Sequence, residues 1–134
     1  MTGPELMRQF LPNSPFPADL GLRLEAIEPD HATLALPWAE RLATMGDVVH
    51  GGAIATLADC AVMAAAWSAD EVPATLRGVT VGLSLNYLDT ARAEDLTAHG
   101  RVVRRGRSLC TVDVDVQGAD GRLVAKGLAT YKMG

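Results

Sequence analysis

A single carboxylate, Asp59, stands in an otherwise apolar stretch of the chain. Its neighbours from Ala53 to Trp67 are apolar or cysteine, with the exception of Thr56. A charge inside an apolar helix is costly unless a partner or a function compensates for it, and such carboxylates recur at functional sites. Asp59 is therefore the first candidate for a general base or a nucleophile. The alternative is a structural aspartate that bonds the backbone of a loop.

The triplet His50-Gly51-Gly52 precedes Asp59 and coincides with the predicted start of the same helix. The first N–H groups of a helix lack intrahelical partners and carry partial positive charge. Two glycines let a ligand approach that backbone closely. The triplet thus suits a carbonyl oxygen that becomes an oxyanion. The alternative is a plain glycine-rich helix entry with His50 as a capping group.

The spacing of Gly51 and Asp59 predicts the assembly. Eight residues of helix separate them by about 12 Å, whereas an oxyanion donor and a catalytic carboxylate must both lie within about 3–4 Å of the reacting group. One helix cannot supply both to one substrate, but two antiparallel copies related by a two-fold axis can. The sequence therefore predicts a homodimer, which we expect to pair into a tetramer, with two composite sites per dimer.

Other side chains of this helix receive simpler interpretations. Met63 and Trp67 follow Asp59 at four and eight residues, on its face of the helix, and are candidates for the lining of an acyl pocket. Cys60 points about 100° away from Asp59 with no histidine in helical reach, so we interpret it as a small core residue. Cys110, in a predicted strand, receives the same interpretation.

The elements that position these residues follow from hydrophobic periodicity. Residues 51–69 are apolar nearly all round and predict one long buried helix. A short helix is expected at 4–11 and a proline-rich connector at 13–17, with a loop at 40–49. The predicted strands are residues 20–26, 32–38, 79–89, 95–105, 108–118 and 122–133. Strands joined mostly by short turns predict an α+β domain, an antiparallel sheet of about six strands with the helix on one face.

Composition limits the classes of function. The 134 residues fit one domain, and a net charge of −4 offers no basic surface for nucleic acid. No signal peptide is recognisable, and the longest apolar run is far shorter than the roughly 20 residues that span a bilayer. Two cysteines without a CxxC pair favour a cytoplasmic protein. Three scattered histidines give no metal-binding spacing, so neither a metal nor another cofactor is expected.

Four motifs carry a resemblance over about residues 20–132. "VVHGGAIATLADCAVMAAAW", "VGLSLNYLDTA", "VVRRGRSLCTVDVDV" and "GRLVAKGLATYK" together resemble the hotdog-fold acyl-CoA thioesterases. The nearest branch is that of the phenylacetate-degradation and 4-hydroxybenzoyl-CoA thioesterases. The resemblance implies a curved antiparallel sheet wrapped around a long helix, in dimers that often pair into tetramers, acting on acyl-CoA.

The resemblance also implies roles for individual residues. Asp59 matches the acidic base or nucleophile, Gly51 the donor of an N–H to the thioester oxygen, and Thr80 an assisting hydroxyl. Where many relatives carry Asn or Gln, this chain has Thr44, which can supply a weaker hydroxyl contact. Asp47 stands where Gly is frequent.

Substrate contacts are implied at two further places. The basic run of Arg104, Arg105 and Arg107 resembles the turn that meets coenzyme A phosphates in relatives, and guanidinium groups suit phosphate. The alternative is a solvated hairpin turn. Gly52 of the helix entry and Asn86 of the "NYL" strand are assigned to substrate binding as well.

Three functions are compatible with these residues. The first is an acyl-CoA thioesterase, by a general-base or an anhydride route. The second is a hotdog enoyl-CoA hydratase, in which Asp47 and His50 would act together. The third is a non-catalytic acyl-CoA sensor. The acyl group is not specified by the sequence.

Overall fold

The computed structural model describes residues 1–134 and contains three α-helices and eight strands. In chain order these are α1 (Gly3–Phe10), α2 (Pro15–Leu20), β1 (Arg23–Glu28), β2 (His31–Leu36), β3 (Ala43–Met45), β4 (Val48–Val49), α3 (Gly51–Trp67), β5 (Gly78–Tyr87), β6 (Leu96–Arg105), β7 (Leu109–Gln117) and β8 (Leu123–Met133), with short 3-10 turns at Leu11–Asn13 and Glu40–Leu42. None of the helices is both long and apolar enough to cross a lipid bilayer.

Six strands form one antiparallel sheet in the order β1-β2-β6-β7-β8-β5, while β3 and β4 form a separate two-stranded hairpin. The long helix α3 packs against one face of the sheet, mainly on β2, β6, β7 and β8. This arrangement confirms the predicted α+β hotdog architecture. β5 lies at an edge of the sheet and pairs only with β8.

The packing of α3 follows from its composition. Eleven of its 17 residues are buried, so that apolar side chains on most of its circumference contact the sheet or the N-terminal helices. The helix ends at Trp67, two residues before the predicted end, because the Ser68 side chain caps it. The Ser68 hydroxyl donates to the Ala65 carbonyl at 2.6 Å and accepts the Asp30 N–H at 2.8 Å.

Three segments differ from the prediction. The first strand, expected at residues 20–26, is Arg23–Glu28, because Leu20 still belongs to α2. Of residues 13–17, expected as a connector, Asn13 ends the 3-10 turn and residues 15–17 begin α2, because Pro15 has the fixed φ that suits a first helical turn. Gly21, with a φ of 81°, ends that helix. The expected loop at 40–49 contains a 3-10 turn and the β3–β4 hairpin, whose strands of three and two residues are too short to show an alternating pattern.

The N-terminal helix α1 docks on the carboxyl end of α3. Thr2 and Glu5 form a reciprocal capping box at its start. The Gly3 N–H donates to the Ala69 carbonyl at 2.9 Å, and a Cβ at Gly3 would lie 1.7 Å from the Trp67 carbonyl oxygen. Only glycine permits this approach, which brings α1 next to the side chains that follow Asp59 on α3.

Candidate active site

Asp59 is held by a partner from the sheet. It lies half-buried in the middle of α3, and the Thr80 hydroxyl of β5 donates to its Oδ1 at 2.7 Å. Thr80 is paired in register with Tyr131 of β8. A hydrogen bond from a hydroxyl to a carboxylate fixes the carboxylate rotamer. The compensation that this carboxylate requires is therefore a side chain, not a loop backbone.

The entry of α3 is organised by His50 and by Tyr87, for which the sequence predicted no role. His50 is the N-cap, and its Nδ1 accepts the Gly52 N–H at 2.8 Å. The Tyr87 hydroxyl of β5 donates to the Gly51 carbonyl at 2.9 Å. The Gly51 N–H donates to no group of the chain. One free N–H therefore remains at the positive end of the helix dipole.

The two groups do not meet within one chain. Gly51 and Asp59 lie on the same uninterrupted helix, so that the separation along its axis stays at about 12 Å. Thr80 and Tyr87 are also far apart on β5, where seven residues at about 3.3 Å each, or about 23 Å of strand, separate them. The structure thus contains an acidic group with Asp59 and Thr80, and a donor group with His50, Gly51 and Tyr87.

A cavity of about 720 Å³ lies beside the acidic group. Met63 and Trp67 of α3 line it, together with residues from α1 and from the ends of β5 and β8. The Trp67 Nε1–H donates to the Tyr131 hydroxyl at 2.8 Å in the interior. Burial raises the pKa of Tyr131, and the nearby charge of Asp59 adds to this. Tyr131 thus connects the wall of the cavity with the acidic group.

The β3–β4 hairpin presents Thr44 and Asp47 next to the helix entry. Thr44 is exposed and forms no side-chain hydrogen bond in the chain. Asp47 is engaged elsewhere, since its Oδ1 accepts from Arg92 Nη1 at 3.0 Å. An ion pair with Arg92 leaves Asp47 poorly suited to act with His50.

The three arginines of the basic run differ in their surroundings. Arg104 is exposed and forms no ion pair, while Arg107 lines a groove of about 270 Å³ next to the carboxyl end of α3. Arg105 is engaged within the fold: it pairs with Asp30 Oδ1 at 2.7 Å and donates to the Ala66 carbonyl at 2.9 Å. The guanidinium of Arg105 therefore caps the negative end of α3.

Asn86 lies on the other face of the sheet. Along β5, Leu83, Leu85 and Tyr87 alternate towards α3, whereas Asn86 points outwards beside Lys126 of β8. The structure therefore does not place Asn86 with Asp59 in the same chain.

Neither cysteine has the properties of a nucleophile. Both are buried, which confirms the interpretation as core residues. Burial, assisted by the charge of Asp59, raises the pKa of Cys60 to about 12, and burial also raises the pKa of Cys110. Neither thiol is ionised near neutral pH.

The chain belongs to the thioesterase superfamily, whose family model matches residues 46–125. The medium/long-chain acyl-CoA thioesterase YigI of Escherichia coli is 28% identical over 93% of this chain and 89% of that protein. A thioesterase family protein from Silicibacter pomeroyi has a similar structure, with a TM-score of 0.87, 26% identity and coverage of 98% and 99% of the two chains. A hypothetical thioesterase protein from Streptococcus pneumoniae, solved with coenzyme A, gives a TM-score of 0.70 at 27% identity over 84% and 85%.

Proposed function

We propose that this protein hydrolyses acyl-CoA thioesters to a free acid and coenzyme A. The observation that carries the proposal is the Asp59 carboxylate, which a Thr80 hydroxyl orients beside an apolar cavity. The free N–H of Gly51, at the start of α3 in a second copy of the chain, would supply the oxyanion donor. The names of YigI and of the coenzyme A complex from Streptococcus pneumoniae support this substrate class.

Two routes use these groups. In the general-base route Asp59 removes a proton from water, and the oxygen attacks the thioester carbonyl carbon. The negative charge on the carbonyl oxygen is stabilised by the Gly51 N–H, after which the C–S bond breaks and the thiolate leaves. In the nucleophilic route the Asp59 carboxylate attacks the carbonyl carbon itself, the C–S bond breaks and the thiolate leaves. Water then hydrolyses the resulting mixed anhydride, which releases the acid and restores the Asp59 carboxylate.

The site is composite in this proposal, with Asp59 of one subunit facing Gly51 of a second copy. The edge strand β5 supports such a dimer, because it is ten residues long and exposes Val79 and Val81, with exposed fractions of 58% and 60%. A long apolar edge strand is a template for pairing with another chain. Antiparallel pairing of two β5 strands would also set the two α3 helices antiparallel. Dimers of this kind would then pair into the tetramer that the resemblance implies.

The remaining predicted residues take supporting roles. Arg104 and Arg107 would bind the phosphates of coenzyme A, while Arg105 holds the end of α3 beside them. Met63 and Trp67 would contact the acyl group.

Hydrolysis is tested by a thiol-release screen with short, medium, long and aryl acyl-CoAs, phenylacetyl-CoA and 4-hydroxybenzoyl-CoA included. Asp59→Asn is the critical variant, because an amide accepts no proton at neutral pH and does not attack a thioester. We expect it to fold and to lose at least about a hundredfold in kcat with a much smaller change in KM.

A folded Asp59→Asn protein with kcat within a few-fold of the wild type would exclude either role of the carboxylate. Tight binding of acyl-CoA by the wild type with no thiol release would identify a sensor instead. Hydration of an enoyl-CoA would identify a hydratase.

The composite site is tested by complementation between two inactive variants. Gly51→Pro removes the N–H at a helical position that tolerates proline, and Asp59→Asn removes the carboxylate. A mixed dimer regains one intact site of two, so activity should return after subunit exchange. Gly51→Ala is the control, because it keeps the N–H and its Cβ would meet the Tyr87 ring at an ordinary 3.5 Å. Exchange without any recovery would contradict the composite site.

A further inference from the structure

We infer that the acyl group is an unbranched aliphatic chain of about ten carbons, which lies along α3 from Asp59 to Trp67. The inference rests on the proposed function, since it specifies the substrate of the same site. Its basis is the position and lining of the 720 Å³ cavity, together with the spacing of Asp59 and Trp67 along α3.

The cavity begins at the acidic group. Val79, one of its lining residues, directly precedes Thr80, whose hydroxyl binds Asp59. Met63 lines the cavity one helical turn beyond Asp59. An acyl chain whose carbonyl carbon lies beside the carboxylate therefore enters the cavity with its first methylenes.

Trp67 sets the length. It follows Asp59 by eight residues, or about 12 Å along the helix axis. Trp67 is 5% exposed, and its indole is fixed by the hydrogen bond to Tyr131, which is 4% exposed. An extended hydrocarbon advances about 1.25 Å per carbon, from C–C bonds of about 1.5 Å, so about ten carbons fit in this distance. A benzoyl or phenylacetyl group would end near Met63, only about 6 Å along the axis.

The lining indicates an apolar chain. Eight of the 12 lining residues are hydrophobic. The two charged ones, Arg77 and Lys132, are exposed, and no carboxylate lines the cavity. Phe10 and Leu76 form an apolar rim with exposed fractions of 46% and 59%, which a bound chain would cover.

Chain-length profiles of kcat/KM test the inference, with saturated acyl-CoAs from C4 to C16 and with benzoyl- and phenylacetyl-CoA. Burial of each methylene contributes about 0.8 kcal/mol. We therefore expect kcat/KM to rise about two- to fourfold for each added carbon up to about C10 and then to level off. Affinities of the same acyl-CoAs for Asp59→Asn, measured by calorimetry, should follow the same trend without any chemistry.

Two variants should move the optimum in opposite directions. Trp67→Phe shortens the side chain at the far end of the cavity. The ratio of kcat/KM for the C12 substrate to kcat/KM for the C10 substrate should therefore be at least about threefold higher than in the wild type. Leu6→Trp fills the cavity from α1, so the optimum should fall to C8 or below. Trp38→Phe is the matched control, since Trp38 does not line the cavity, and it should leave the profile unchanged.

The outcomes separate the two proposals. Thiol release that is greatest on C2–C4 or on aryl substrates, or that is independent of length, overturns the chain-length inference and leaves the thioesterase intact. An affinity that rises to about C10 without any thiol release overturns hydrolysis but supports the acyl subsite. If neither rate nor affinity depends on chain length, the inference is overturned whatever the reaction.

Discussion

Thr80→Val removes the hydroxyl that binds Asp59 and keeps the β-branched shape of the side chain. The bond is 2.7 Å long, and both residues are half-buried. A hydrogen bond to a charged group contributes about 1.5–3 kcal/mol. If the whole of that contribution orients the carboxylate in the transition state, kcat should fall roughly tenfold to 150-fold. Val suits a strand as well as Thr does, so the variant should still fold, but the half-buried carboxylate loses its partner and the free energy of unfolding should fall by about 1–3 kcal/mol.

The assay is steady-state thiol release on the best acyl-CoA, with Thr80→Ser as the matched control. Serine retains the donor, so kcat should stay within about fivefold of the wild type, and KM should change little in either variant. The reasoning is refuted if Thr80→Val keeps wild-type kcat, or if Thr80→Ser loses as much activity as Thr80→Val does. Thermal unfolding of the three proteins separates a lost orientation from a lost fold.

The arginines and the cysteine give three further predictions. Arg104→Glu and Arg107→Glu should each raise KM for acyl-CoA roughly fivefold, from about 1 kcal/mol per exposed charge pair, with less effect on a pantetheine thioester and with weakening by salt. Arg105→Met should instead destabilise the fold by about 1–2 kcal/mol in urea unfolding, because it uncaps α3; a selective KM effect there would contradict the capping role. Cys60 should resist thiol reagents at pH 8 in the native protein and react on unfolding. Since its pKa rises from 9.0 to about 12 on folding, the unfolded thiol ionises first and stability should decline above about pH 9; rapid labelling of the native protein would refute this.

The architecture was predictable because its main elements have strong local patterns. The helix at 51–67 is apolar nearly all round, and the long strands alternate between the face towards α3 and the outer face. The failures lie where the pattern is short. Residues 13–17 contain three residue types that are frequent in loops, Asn, Ser and Pro. Proline is equally common at the start of a helix, and only the packing of α2 decides between a loop and a helix.

The positions of site residues along α3 were predictable from the sequence. Contacts between α3 and other elements were less so. The separation of Gly51 and Asp59 follows from helix geometry alone, whereas Thr80 was identified through the resemblance. The role of Arg105, in contrast, could not be predicted. Its charge and its neighbours in sequence are the same whether it binds a phosphate or caps a helix, and the deciding partner, Asp30, lies 75 residues away. Sequence reasoning has no local signal for such a contact.

The cavity could not be predicted because its dimensions depend on two close approaches. Gly3 brings α1 against the end of α3, where any Cβ would collide with the Trp67 carbonyl oxygen. Gly78 leaves room for the ring of Tyr131, whose hydroxyl would lie 2.5 Å from a Cβ at that position. In sequence both are ordinary glycines next to a proline or an arginine. In the fold they place α1, Trp67 and Tyr131 around one space, and the distance from Asp59 to Trp67 then limits the chain that this space accepts.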